Sequence, residues 1–240
     1  MNGEKVLTSN AMTKAELKQI KAERRAALQP KFTLGEEIFN SVTHGIGALF
    51  GVFALIFGCI TVSHSPSGVN YLAVIMYSLS ITILYTMSCL YHALPQGKAK
   101  RVFRIFDHCT IFLLIAGTYT PYCLIAFKGM ALGYILFGIQ WAIAAVGITF
   151  NAINMYWKPV KIISMAGYFV MGWCIIFALP MLLKVLSVKS LIYLLCGGVT
   201  YTLGIIFYGV GSKKKYFHCV WHLFVLAGTA LQFVSIYYLL

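Results

Sequence analysis

Five histidines and one aspartate stand where so apolar a chain has few reasons to keep an ionisable group. His218 and His222 are four residues apart, so on a helix both imidazoles leave the same face. Two imidazoles so placed can share one divalent ion. His92, in Ser88-Cys89-Leu90-Tyr91-His92, is the candidate third nitrogen ligand, from another helix. Asp107 can add an oxygen, directly or through bound water. Three histidines with an open position for water form the donor set of catalytic zinc, which makes Zn2+ the expected cofactor. Ser88 lies one turn before His92 on the same face and is placed to hydrogen-bond around the site. Glu37, Asn40 and His44 share a face of a third helix and are candidates to orient the site or to transfer protons.

Blander readings apply to the other candidates. His64 falls in an ordinary loop. His108 follows Asp107 and points about 100° away from it around a helix. The seven cysteines include no C-x-x-C pair and mostly lie in apolar runs, where they read as small buried hydrophobes. Within the metal reading, a closed site that only staples helices is the alternative to a catalytic one.

The elements that must position these residues are membrane helices. Sixty per cent of the 240 residues are hydrophobic and 10% charged, against roughly 25% charged in an ordinary soluble domain. The expected fold is all-α, a polytopic bundle of seven transmembrane helices. The spans are expected at about 39–62, 71–94, 107–127, 130–150, 162–183, 191–210 and 218–240, each long enough to cross the hydrocarbon. Residues 1–33 form a basic tail, in which Thr13-Lys14-Ala15-Glu16 reads as a capping box opening a helix to about Leu28. Residues 34–240 form the membrane domain. Kinks are expected at Pro121 and Pro180.

Sixteen of the 19 lysines and arginines fall in the tail and in the second, fourth and sixth gaps between spans. That asymmetry places the N-terminus in the cytoplasm and, after seven crossings, the C-terminus outside. It also puts His44, His92, Asp107, His218 and His222 in the cytoplasmic leaflet. The formal charge of +13 is spent on topology and anionic headgroups, so no nucleic-acid partner is expected. The aromatic residues read as interfacial belts.

The segments Glu36-Glu37-Ile38-Phe39-Asn40-Ser41-Val42-Thr43-His44-Gly45-Ile46-Gly47, Ser88 to His92, Phe106-Asp107-His108-Cys109-Thr110, Ala116-Gly117-Thr118-Tyr119-Thr120-Pro121 and His218-Cys219-Val220-Trp221-His222 resemble the hemolysin III family. That family is the bacterial branch of the progestin and adipoQ receptor superfamily. The resemblance runs from about residue 34 to the end and implies seven helices, a cytoplasmic N-terminus and a zinc site near the cytoplasmic face. It implies His92, His218 and His222 as ligands, Asp107 holding the metal's water, and Ser88 nearby. The adiponectin-receptor branch and the similar alkaline ceramidases add lipid-amide hydrolysis.

The expected activity is therefore hydrolysis or sensing of a membrane lipid, with a lipid amide as candidate substrate, in the bacterial plasma membrane. The competing expectations are a non-enzymatic regulator of membrane state with a structural zinc, a cytolytic protein, and a metal or proton transporter.

Overall fold

The computed structural model describes residues 13, 15–17, 19–20, 32–64, 66–211 and 214–240. They fall into two units, one within Met1–Lys31 and one spanning Phe32–Leu240. In the first, Thr13 and Glu16 exchange hydrogen bonds: the Thr13 amide donates to Glu16 Oε2 at 2.7 Å and the Glu16 amide to Thr13 Oγ1 at 3.2 Å. These bonds hold the exposed Glu16 carboxyl below the usual range. The course of this helix to Leu28 lies outside the described residues.

Every described element of the second unit is helical. The order is α1 (Leu34–Ser63), α2 (Gly68–Ala93), α3 (Lys98–Pro121), α4 (Ala131–Asn154), α5 (Lys158–Trp173), α6 (Leu179–Val185), α7 (Val188–Gly211) and α8 (Phe217–Tyr237). With α5 and α6 counted together, seven segments are long and apolar enough to cross a membrane. The chain is a multi-pass membrane protein. The segment through α3 is the most enclosed, followed by α2 and α8.

Two helices start at least five residues earlier than the apolar pattern suggests. α1 begins at Leu34 because Thr33 caps it: Thr33 Oγ1 accepts from the Glu36 amide, and Glu36 Oε2 accepts from the Thr33 amide. α3 begins at Lys98, nine residues before Asp107. Asp107 therefore sits well inside a helix rather than at its start. The extension carries Lys98, Lys100, Arg101 and Arg104, whose long stems tolerate a helix at headgroup depth.

Both prolines mark irregular backbone. Pro121 closes α3 and passes it into a π-helical turn over Tyr122–Ala126. The fifth span breaks into a 3-10 segment over Cys174–Ala178, just ahead of Pro180 in α6. At Pro180 a missing amide and a ring clash with the preceding turn account for the interruption.

α1 packs antiparallel on α2 at close range. A Cβ on Gly51 would come within 2.7 Å of the Thr82 backbone nitrogen, so only glycine fits there. The same register pairs Gly47 with Tyr85 and Ser41 with Cys89, the Ser41 hydroxyl donating to the Cys89 carbonyl at 3.2 Å. Followed toward the start of α1, it brings Glu37 opposite His92.

Candidate metal centre

The helix ends are held before the histidines meet. Glu36 accepts the Thr33 amide and hydroxyl on one oxygen and the Tyr216 amide, at 2.7 Å, on the other. Tyr216 is the N-cap of α8 and takes a left-handed φ of 63°. That conformation costs a non-glycine residue about 1–2 kcal/mol, which the bond to a carboxylate offsets. Glu36 thereby ties the first turn of α1 to the first turn of α8.

His92 at the end of α2 and His218 and His222 in the first two turns of α8 then converge. One ligand atom from each lies within 4.8 Å of the other two. The Nε2 atoms of His218 and His222 are 3.2 Å apart. Two nitrogens bound tetrahedrally to one zinc, at its usual bond length, stand about 3.4 Å apart.

The proton positions support the same reading. Glu37 Oε2 lies 2.7 Å from His92 Nδ1. A carboxylate only accepts, so the imidazole proton sits on Nδ1. In the neutral ring His92 Nε2 is then the lone-pair nitrogen, and it is buried and without a partner among the described residues. A buried unsatisfied acceptor costs about 1–3 kcal/mol. A cation between the three rings would relieve that cost, so these residues fit a divalent metal.

Two of the rings are clamped by stacking. Phe32 lies against His218 with centroids 4.6 Å apart and planes at 23°. His44 lies against His222 at 3.6 Å and 23°, with Tyr85 edge-on to His44 at 4.8 Å. Both His44 nitrogens and both Asn40 amide atoms are buried and lack protein partners among the described residues.

The remaining candidates are placed as follows. Ser88 is buried on α2, one turn before His92. Asp107 is half-buried on α3 and is not among the three residues that converge within 4.8 Å. Tyr208 packs beside His218 and beside Asp107's neighbour on α3, His108, with centroids 6.2 and 6.3 Å away. His108 is on the same helix, its carbonyl accepting from the Tyr168 hydroxyl at 2.9 Å.

Three residues here escape a reading of spacing alone: Phe32, Glu36 and Lys100. Lys100 is 2% exposed, with its ammonium 2.8 Å from Glu37 Oε1. In sequence it is one more cation of a basic gap. The signal that finds it is helical: 100, 104, 108 and 111 share a face once α3 is extended back to Lys98.

Beside the cluster lies an apolar cavity of about 130 Å³ between α2, α3, α5, α7 and α8. Tyr208 and Trp221, which line it, pack against each other at 5.4 Å. Tyr208 is the wall it shares with His218, and Leu84, Ile115 and Phe169 make its flanks greasy.

Comparisons with known proteins agree with this architecture. The model of the family described as Haemolysin-III related matches residues 32–233. The chain is 38% identical over 205 residues to the Hemolysin-3 homolog of Bacillus subtilis, covering 85% of this chain and 94% of that protein. It is 40% identical over 201 residues to Hemolysin-3 of Bacillus cereus, covering 84% and 90%. It is 25% identical over 169 residues to the human monocyte to macrophage differentiation factor, covering 68% of each, a distant relative in the progestin and adipoQ receptor family.

Proposed function

The chain belongs to the haemolysin-III family, and we propose that it is a zinc-dependent hydrolase of membrane lipids, acting on an amide bond at the inner headgroup level. The observation that carries this reading is the convergence of His92, His218 and His222, with the His92 Nε2 lone pair buried and unpartnered. The cluster lies at the end of the bundle that holds most of the lysines and arginines, which the positive-inside rule assigns to the cytoplasm.

His92, His218 and His222 hold the ion, which when bound supplies an activated water and polarises a carbonyl. Asp107 would serve as general base toward the water and, once protonated, as the acid for the leaving amine nitrogen. The Ser88 hydroxyl, buried one turn before His92, would hydrogen-bond to the group held there. His44 packs against the His222 ring and would hold it in place. The apolar cavity beside Tyr208 takes the acyl chain of the lipid, leaving its carbonyl near the rings.

The test is hydrolysis of labelled ceramide-like and phospholipid substrates by the purified protein in micelles. Turnover that disappears on chelation, and in His218→Ala, supports the reading. Asp107→Asn should keep the metal and lose about 10²–10⁴-fold in rate. Turnover that survives both chelation and His218→Ala excludes it.

A second reading has its own observation. His92 and His222 are 2% and 1% exposed, and Phe32 and His44 cover the neighbouring rings. A site so closed suits a metal that only joins α2 and α8 in a regulator of membrane state. Chelation would then lower the melting temperature with no lipid turnover. The relatives' names point to cytolysis, which leakage from liposomes containing the protein would reveal.

A further inference from the structure

We infer that Lys100 is a positioning residue of the metal centre: through Glu37 it fixes the ring of His92, and it does so by tying together the ends of three helices. The inference rests on the metal-centre reading above.

The placement of Lys100 is unexplained by α3 itself. It lies in the first turn, where the helix dipole disfavours a cation. Burying an ammonium there costs several kcal/mol unless it is fully paired. It is fully paired. An ammonium has three donors, and three acceptors surround this one: Glu37 Oε1 at 2.8 Å, the Leu94 carbonyl at 3.0 Å and the His92 carbonyl at 3.4 Å. The Tyr91 ring lies beneath it at 5.0 Å.

Each acceptor belongs to a different part of the problem. The carbonyls of His92 and Leu94 are orphans at the end of α2, so Lys100 caps that helix from α3. Glu37 comes from the first turn of α1. With the ammonium on one oxygen, the Glu37 carboxylate has a single orientation, and its other oxygen meets His92 Nδ1 at 2.7 Å. Lys100 thus grips His92 twice, at its carbonyl and, through Glu37, at its ring. The result is that Nε2, and not Nδ1, faces His218 and His222.

A lysine that merely stapled three helix ends would stabilise the fold and leave metal affinity unchanged. The two roles separate in binding measurements on the folded, full-length protein in micelles. We would measure Zn2+ affinity by competition with a chelator of known strength, and the visible spectrum of the Co2+-loaded protein. Lys100→Met and Glu37→Gln should each weaken zinc binding by about 10–100-fold and shift the Co2+ bands. The double variant should lose no more than the worse single one, because both changes cut the same chain of contacts. Lys100→Arg should restore most of the affinity. Should Lys100→Met fail to fold, Glu37→Gln, with Lys100 intact, carries the test alone. Folded variants with wild-type affinity and spectrum would overturn the inference while leaving the metal centre standing. A wild type that binds no zinc would overturn the centre itself, and the role of Lys100 with it.

Discussion

His44 and His222, 178 positions apart in the chain, lie face to face with ring centroids 3.6 Å apart. Two charged imidazoles would not stack so, and the contact holds the His222 ring against rotation about its own bond to the backbone. It follows that His44 acts on the site first by packing. His44→Phe should keep the stack and leave zinc affinity within a few-fold of wild type. His44→Ala removes it and should weaken zinc by about 10-fold, near the value of an aromatic pair contact. Titration of both variants with zinc against a competing chelator reads the difference. A large activity loss in His44→Phe with metal retained would assign His44 a proton-transfer role as well.

The Glu36 carboxylate makes the second cross-link at this end of the bundle. It accepts from Thr33 in α1's cap and from the strained Tyr216 in α8's cap. Glu36→Ala frees the Thr33 and Tyr216 amides and removes half of the capping box. A loss of about 0.5–2 kcal/mol is expected, read as a lowered thermal midpoint in micelles. The zinc-bound form should lose less, because the metal holds α2 and α8 independently.

Close packing of α1 on α2 sets the register that brings Glu37 to His92. Gly51→Val drives a side chain into the Thr82 backbone and should destabilise by about 1–3 kcal/mol. Zinc affinity should fall with it, since the register moves. Gly138 on α4 is the control: a Cβ there meets nothing within 4 Å. Gly138→Ala should be neutral or stabilising, by up to about 1 kcal/mol. Equal effects at the two glycines would contradict the close-approach account.

The sequence carries the seven spans and the family plainly, because twenty apolar residues in a row have few other uses. It carries helix starts poorly. The rule that excludes charge from a span cuts α3 at Asp107, yet at headgroup depth Lys98–Arg104 continue the helix. The Thr33–Glu36 capping box has the same form as Thr13–Glu16, but lies hidden beneath the polar-to-apolar boundary. The two histidines of α8 follow from a four-residue spacing, and His92 from its depth in α2. That Glu37 meets His92 is set by the α1–α2 register, which no spacing within one helix reveals. Lys100 is hidden for a further reason: the positive-inside signal that reads topology so well treats every cation of a loop alike.

The central claim is tested most directly by metal analysis of the protein purified without chelator and re-equilibrated with zinc, beside its alanine variants. The account predicts about one zinc per wild-type chain, a near-complete loss in His92→Ala, His218→Ala and His222→Ala, and retention in Asp107→Asn. A wild type without bound metal, or histidine variants that keep it, would contradict the account.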